Sequence, residues 1–336
     1  MKLLITGGAG FIGSNFIHYW LRNYPDDRIL NFDALTYAGN LENLKDIEDD
    51  ERYTFVKGDI CDVELVNKII SDVDVIVHFA AETHVDRSIM GSRDFIRTNV
   101  EGTRVLLDAA KRRGVRFHHV STDEVFGSLK LDGELFSEKS HYNPHNPYSA
   151  SKAAADHLVR AYWHTYNLPI TISNCSNNYG PYMFPEKIIP LFITNIIEGK
   201  KVPIYGTGEN VRDWIHVDDH SRGIDFILKK GEAGETYCLG SRNERSNIDL
   251  AKKILQLMGR GEDMIEFIKD RPGHDLRYAI DNSKAVSELR WSPGISFDNG
   301  LSKMIEWYKK NEVWWRRIKS GRYKDYYEKQ YVNRLQ

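Results

Sequence analysis

Short apolar runs alternate with longer amphipathic segments over the first 175 residues. Leu3–Thr6, Ile29–Phe32, Thr54–Val56, Val73–Phe79, Phe117–Val120 and Ile170–Ser173 have the length and composition of buried strands. Between them, Phe11, Ile12, Phe16, Ile17, Trp20 and Leu21 fall at spacings that place them on one helical face. Val105, Leu106, Ala109 and Ala110 form a second stripe, closed by Lys111, Arg112, Arg113 and Gly114. Basic residues in a last turn complement the helix dipole, and a following glycine permits a left-handed cap. Strand–helix alternation predicts an α/β fold with a doubly wound parallel sheet, since parallel strands need crossover connections. Ligands of such sheets bind beyond the carboxyl ends of the strands.

The alternation stops near residue 180, where Gly180-Pro181-Tyr182, Pro185 and Pro190 punctuate the chain. We expect a first domain over 1–180 and a smaller mixed α/β domain over 181–336. Segments near 215–240 are expected to return to the sheet, which makes the second domain discontinuous. The length of 336 residues suits one large domain or two modest ones. The composition, 41% hydrophobic and 28% charged, excludes a disordered chain. With 46 basic and 48 acidic residues the net charge is −2, so no overall field draws the chain to nucleic acid or an anionic membrane. The basic cluster Lys111–Arg113 therefore reads as a helix stop. The basic, aromatic stretch holding Trp314, Trp315, Arg316, Arg317, Tyr323, Tyr326, Tyr327 and Tyr331 reads as a packed terminal helix and tail, though single-strand nucleic-acid surfaces mix the same residue types.

Cys61, Cys175 and Cys238 form no C-x-x-C pair, so neither a disulfide scaffold nor a thiolate zinc site is expected. The N-terminal apolar run is too short for a secretory signal, and no stretch approaches the roughly 18 apolar residues of a membrane span. These features lead us to expect a cytoplasmic protein, in which the sequon Asn174-Cys175-Ser176 carries no weight.

Gly7-Gly8-Ala9-Gly10-Phe11-Ile12-Gly13 joins the first strand to the first helix. Glycines let a backbone approach a ligand closely, and the free amides of a helix start favour a pyrophosphate. Gly8, Gly10 and Gly13 satisfy G-x-G-x-x-G, while Gly7, Gly10 and Gly13 satisfy G-x-x-G-x-x-G. Asp33, 20 residues past Gly13 at the end of the second run, suits a ribose diol and repels a 2′-phosphate. The expected cofactor is NAD. A glycine turn serving only packing is the alternative.

Asn146-Pro147-Tyr148-Ser149-Ala150-Ser151-Lys152 has the form of a helix start, with Tyr148 and Lys152 four apart on one face. A nearby ammonium, together with a positive nicotinamide ring, lowers a phenol's pKa from near 10 towards the working range of a base. Ser121-Thr122-Asp123-Glu124-Val125-Phe126-Gly127 follows the fifth run. In a regular strand Asp123 and Glu124 face opposite sides, so both reach one pocket only if the strand ends here and the chain turns. Two carboxyl groups in different environments provide an acid and a base side by side. A solvated acidic turn is the alternative. His216-x-x-x-His220 with Asp218 and Asp219 has metal-like spacing but reads as a helix start, and His118 and His119 alternate across a strand, so no metal site is expected.

With these residues assembled, the chain resembles the extended short-chain dehydrogenase/reductases, and among them the dTDP-glucose 4,6-dehydratases. The resemblance runs nearly end to end. It is carried by Thr6–Gly13, the word Ala80-Ala81-Glu82-Thr83-His84-Val85-Asp86-Arg87-Ser88, Ser121–Gly127, Tyr148–Lys152, Asn174–Pro181, Phe184-Pro185-Glu186-Lys187, Arg212-Asp213-Trp214 and Asp270-Arg271-Pro272-Gly273-His274-Asp275. Related epimerases share the cradle and the Tyr/Lys pair but generally lack the Asp-Glu pair. The resemblance implies a Rossmann domain, bound NAD, a homodimer joined through the helices around Arg97–Arg113 and Tyr148–Tyr166, and dTDP-glucose as substrate. The product is then dTDP-4-keto-6-deoxyglucose, formed by C4 oxidation with Tyr148 as base, water loss with Glu124 as base and Asp123 as acid, and C6 reduction by the same NAD.

By matching words, the resemblance gives catalytic roles to Thr122, Asp123, Glu124, Tyr148 and Lys152. It turns Gly7, Gly10, Phe11, Ile12, Gly13, Asp33, Ala34, Leu35, Thr36, Asp59, Ile60, Ala80, Ala81, Glu82, Thr98, Tyr148, Lys152 and Asn178 towards the cofactor. Thr83, His84, Thr122, Asn177, Lys187, Ile188, Pro203, Ile204, Tyr205, Arg212, Asn247, Asp270, Arg271 and His274 are turned towards the substrate. Arg212 and Arg271 suit a diphosphate. Thr83 stands where the family often has Ser, and Cys238 where Asn is usual. A UDP-sugar 4,6-dehydratase, a sugar-nucleotide 4-epimerase and a non-catalytic NAD-binding regulator remain as alternatives.

Overall fold

A computed structural model describes residues 1–320. Each apolar run of the first 175 residues holds a strand: β1 (Lys2–Thr6), β2 (Arg28–Asp33), β3 (Tyr53–Lys57), β4 (Val75–His78), β5 (Arg116–Thr122) and β6 (Ile170–Cys175). Seven more follow: β7 (Asn177–Tyr179), β8 (Val202–Tyr205), β9 (Val211–His216), β10 (Thr236–Leu239), β11 (Glu244–Ser246), β12 (Ile265–Ile268) and β13 (Arg277–Tyr278). A seven-stranded sheet runs β10–β6–β5–β4–β1–β2–β3 and is parallel throughout. The chain winds outward from β1 to β3, then crosses back to β4 on the other side of β1. That reversal opens a crevice at the carboxyl ends of β1 and β4.

Both faces of the sheet are covered. Phe16, Ile17 and Trp20 of helix Phe11–Asn23 pack with Ile224 and Ile227 of helix Val217–Lys230 on one face. Leu106 and Ala110 of helix Thr103–Arg113 pack with Val159 of helix Pro147–Tyr166 on the other. Each fully buried Leu, Ile or Phe contributes about 1.5–3 kcal/mol. Gly114 ends its helix in the left-handed region at φ +68°, where any side chain is strained. Ahead of that helix, Ile96–Gly102 is wound as a π-helix, which the residue spacing alone did not distinguish.

A second lobe stands over the crevice. β9 pairs with β7, β11 and β13, while β8 pairs with β12. Its core gathers Phe192, Ile193, Trp214, Leu250, Leu301 and Trp315. Trp314 and Trp315 are buried: Trp315 Nε1 donates to the Tyr308 carbonyl at 2.9 Å, and Trp314 Nε1 reaches Asn43 Oδ1 at 2.9 Å. These two rings are core, as a packed terminal helix requires. Tyr323, Tyr326, Tyr327 and Tyr331 lie outside the described residues.

Candidate active site

The glycine turn sits at the mouth of the crevice. Gly7 adopts φ +72°, and a Cβ there would stand 2.6 Å from the Ala80 backbone. A Cβ on Gly13 would meet the Gly7 carbonyl at 2.4 Å. Gly8 instead backs onto Asn31 and Ile17, so Gly7, Gly10 and Gly13 form the cradle and Gly8 serves packing. Helix Phe11–Asn23 has no side-chain cap at Gly10, which leaves its first amides open to an anion. Asp33 ends β2, and its two oxygens accept from Ala9 N at 2.9 Å and Leu35 N at 2.8 Å. Burial raises its pKa and those two bonds oppose the rise. An uncapped helix start, a cradle without side chains and a fixed carboxylate are the parts a dinucleotide needs.

A cavity of about 320 Å³ extends from this turn. It takes in Gly7, Gly10, Phe11, Ile12, Gly13, Asp33, Ala34, Thr36, Asp59, Ile60, Ala80, Ala81, Glu82, Thr98, Tyr148, Lys152 and Asn178 among the residues expected at a cofactor. Leu35 is absent from the wall; its backbone, at φ +51°, holds Asp33. Asp59 also pairs with Arg97 at 2.7 Å. In a Gly10→Ala variant the new Cβ meets only the Gly7 carbonyl, at 3.3 Å, so the fold is kept. It fills space over the helix start, and NAD affinity should fall about tenfold, or ~1.4 kcal/mol. Fluorescence titration with NAD checks this, and an unchanged affinity with an intact fold refutes the cradle.

The catalytic candidates meet at the far end of the cavity. β5 stops at Thr122 and the chain enters a single helical turn, Asp123–Phe126, closed by Gly127 at φ +88°. The turn occurs where the two carboxyl groups need it, with a different result for each. Glu124 lines the cavity with Thr122, whereas Asp123 lies beneath the wall, 1% exposed. Thr122 Oγ1 stands 3.4 Å from Asp123 Oδ1, and Asp123 Oδ2 has no partner. Burial, then the charges of Glu124 and Asp213, push Asp123 well above the usual carboxyl range. Burial also raises Glu124, but Arg271, Arg212 and Lys187 pull it back. Both carboxyl groups are thus raised but unequally, Asp123 well above the usual range and Glu124 held back by three cations, which suits one to keep a proton and the other to exchange one.

Tyr148 and Lys152 sit on helix Pro147–Tyr166, which opens with an Asn146/Ser149 capping box. Both line the cavity. The expected effect of the ammonium on the phenol is not what the protein alone produces. Lys152 Nζ donates to the Val120 carbonyl at 2.9 Å and faces His119 Nε2 at 3.3 Å, so its bonds lead away from Tyr148. Burial, then Glu124, pushes the phenol well above its ordinary value, with Thr122 opposing.

The residues expected at the substrate divide. Thr83, Thr122, Asn177 and Lys187 line the cavity, and Lys187 Nζ donates to the Thr83 carbonyl at 3.2 Å. His84, Ile188, Pro203, Ile204, Tyr205, Arg212, Asn247, Asp270, Arg271 and His274 do not line it. Ile204 is 1% exposed within the second lobe's core, so its side chain serves packing. Ile188 and Asn247 begin helices, and Pro203 lies on β8. Arg271 pairs with Asp86 at 3.0 Å, and Tyr205 donates to the other Asp86 oxygen at 3.1 Å. Arg212 donates to the Asp275 carbonyl at 3.1 Å and lies 4.3 Å over the Tyr278 ring. His274 contacts Asp270 at 2.7 Å, and His84 approaches Glu186 at 3.9 Å.

Residue spacing did not find several participants. Asn99 brackets the Glu82 backbone, accepting from its amide at 2.9 Å and donating to its carbonyl at 3.0 Å. Asp86 and Glu186 tie the first lobe to the second through Arg271 and Arg87. Tyr37 lines the cavity with the Arg87 guanidinium 4.1 Å over its ring. No local pattern announces such pairings, since Asp86 and Arg271 are 185 positions apart. His216 is a helix N-cap accepting from Asp218 N, and among the described residues no cluster of three His, Cys, Asp or Glu could hold a metal.

The family model described as GDP-mannose 4,6 dehydratase matches residues 4–304. A dTDP-glucose 4,6-dehydratase of Mycobacterium tuberculosis is 51% identical over 331 residues, covering 98% of this chain and 99% of the relative. One from Escherichia coli is 49% identical, covering 96% and 98%. The crystal structure of the Streptomyces venezuelae dTDP-glucose 4,6-dehydratase with NAD and TYD bound superposes with a TM-score of 0.93 at 49% identity, covering 95% of this chain and 100% of that one. The UDP-glucose 4-epimerase of Thermotoga maritima superposes less well, at 0.86 and 28% identity, covering 93% and 100%.

Proposed function

Because the chain belongs to the dTDP-glucose 4,6-dehydratase family, we propose how its own residues perform that family's reaction. The protein is an NAD-dependent hydro-lyase that converts dTDP-glucose to dTDP-4-keto-6-deoxyglucose. The assignment of roles rests on one observation: a split Asp123/Glu124 pair adjoins Tyr148 and Thr122 at the end of a glycine cradle.

NAD, held by Gly7, Gly10, Gly13 and Asp33, accepts hydride from C4 and returns it to C6, and its positive ring favours the phenolate. Tyr148 takes the 4-hydroxyl proton, with Thr122 orienting that hydroxyl. The 4-ketone acidifies the C5 hydrogen, and Glu124, facing three cations, removes it. Asp123 retains its proton by burial and delivers it to the departing C6 hydroxyl, so water leaves. After hydride returns to C6, Glu124 gives its proton back to C5, Tyr148 releases the proton it took to solvent, and Asp123 regains one from solvent, so the proton count closes. Lys187 and Thr83 border the sugar, while Arg212 and Arg271 wait at the second lobe for the diphosphate.

In heavy water the product is expected to gain deuterium at C5, while deuterium placed at substrate C4 should reappear at C6. Mass spectrometry of the product reads both, and loss of the C4 label to solvent overturns the internal return.

We also infer two copies per molecule. The π-helical segment Ile96–Gly102 packs against helix Pro147–Tyr166, and Ile96 and Tyr166 are half exposed on these elements. A native mass equal to one chain contradicts that pairing. Among the described residues no helix is long and apolar enough to cross a membrane, and three free thiols fit the reducing cytoplasm to which we assign the enzyme.

A further inference from the structure

We propose that His119 and Asp156 are positioning residues that keep Lys152 an ammonium, through a buried chain leading away from the cavity. The proposal rests on the reading of Lys152 as part of the catalytic machinery. Neither His119 nor Asp156 lines the cavity, so neither touches substrate or cofactor.

Lys152 Nζ is anchored on the Val120 carbonyl and faces His119 Nε2 at 3.3 Å. The same Nε2 lies 3.2 Å from Asp156 Oδ1, and both side chains are fully buried. Asp156 Oδ2 accepts from Ser121 Oγ at 2.9 Å and Tyr142 Oη at 2.7 Å, with Asn174 Nδ2 at 3.4 Å. Arg160 in turn donates to Tyr142 Oη at 2.8 Å. Burial pushes the Asp156 carboxyl up, but His119 and the Lys152 ammonium, with Tyr142, hold it below the usual carboxyl range.

The arrangement forces a choice at one atom. Nε2 carries either a lone pair or a proton. With a lone pair it accepts from the ammonium; with a proton it turns a positive N–H towards Asp156 Oδ1, 3.2 Å away and otherwise without a hydrogen-bond partner, and the ammonium loses an acceptor. His119 Nδ1 has no partner to compensate in either case. Burial keeps the ring neutral, its pKa lowered to about 4, so the tautomer of His119 and the charge of Lys152 are linked.

The other groups around Lys152 supply no counter-charge. Its own helix contributes Tyr148 and Asp156, β5 contributes His119, β4 contributes His78 and β6 contributes Cys175. Burial holds His78 neutral and raises the Cys175 thiol to about 12. Asp156 is the one full negative charge in this set, opposing a burial that lowers Lys152 to about 8.

Asp156→Asn keeps the side chain's shape and removes the charge. Lys152 then loses its proton at lower pH, so the alkaline limb of the kcat/KM profile should move down by about one unit or more. His119→Asn should move it the same way, and Asp156→Glu should restore it. Thermal unfolding reads the same link without turnover. Lys152 is charged below its folded pKa and neutral above it, so the deficit in Tm of Asp156→Asn against the parent should narrow as pH rises past about 8. A uniform loss of activity with an unmoved limb, and a Tm deficit independent of pH, would overturn the proposal. Full activity in Lys152→Met would instead overturn the reading of Lys152 itself.

Discussion

Tyr148→Phe is expected to lower kcat by roughly 10²–10⁴-fold, the worth of a positioned proton acceptor. Phenylalanine fills the same space. The Tyr148 ring packs with Val85 and Phe95, the latter edge-on at 6.3 Å, so the variant should fold and keep its affinity for NAD. The loss should appear as no absorbance change on mixing with substrate, because the oxidation that starts the cycle does not begin. The positive nicotinamide ring opposes the burial that raises the phenol in the protein alone, and in the parent enzyme with NAD bound the acidic limb of kcat/KM is expected to follow formation of the phenolate, rising with pH. Tyr148→Phe should remove that limb from its residual activity. Wild-type turnover in this variant, measured as keto product over time, refutes the assignment.

The second large effect concerns the carboxyl pair. Asp123→Asn with Glu124→Gln should leave the first oxidation in place and slow elimination by about 10²–10⁴-fold. Near-ultraviolet absorbance of reduced cofactor should therefore rise on mixing and decay slowly. The same variant should be more stable than the parent. Both groups have folded-state pKa values raised by burial, so folding takes up protons above their unfolded values. Stability from these groups is present at low pH and is lost as pH rises through the folded values. Amides carry no such cost, and the double variant should gain about 0.5–2 kcal/mol near neutral pH, with a smaller gain in acid. Unchanged dehydration would show that the pair is not catalytic. A Tm unchanged at every pH would show that its burial is not costly.

Much of this site is legible in the sequence, for identifiable reasons. The strands announced themselves because a sheet buried on both faces demands continuous apolar runs, as at Val75–His78 and Ile170–Cys175. Tyr148 and Lys152 share a face because four residues is close to one helical turn. The glycine word carried two overlapping patterns, and only the close approach of Gly13 to Gly7, with Gly8 turned against Asn31, separates them. Spacing could say that Asp123 and Glu124 need a turn, but not which would end beneath the wall. Nor could it show that the charges acting on Asp123 include Asp213 and Arg212, about 90 positions away. Direction also escaped: Tyr148 and Lys152 lie on one face, yet the lysine is turned to a strand carbonyl.

The return of β10 to the edge of the main sheet has a consequence for biosynthesis. β6 pairs on one side with β5, and on the other only with Thr236–Leu239, contributed after the first elements of the second lobe have been made. Helix Val217–Lys230, which covers part of one face, arrives equally late. A nascent chain halted near residue 180 therefore presents a bare hydrogen-bonding edge and an uncovered apolar face, both templates for aggregation. The ribosome must release some 60 further residues before the nucleotide sheet can close, so cutting the gene between the lobes should yield two insoluble pieces.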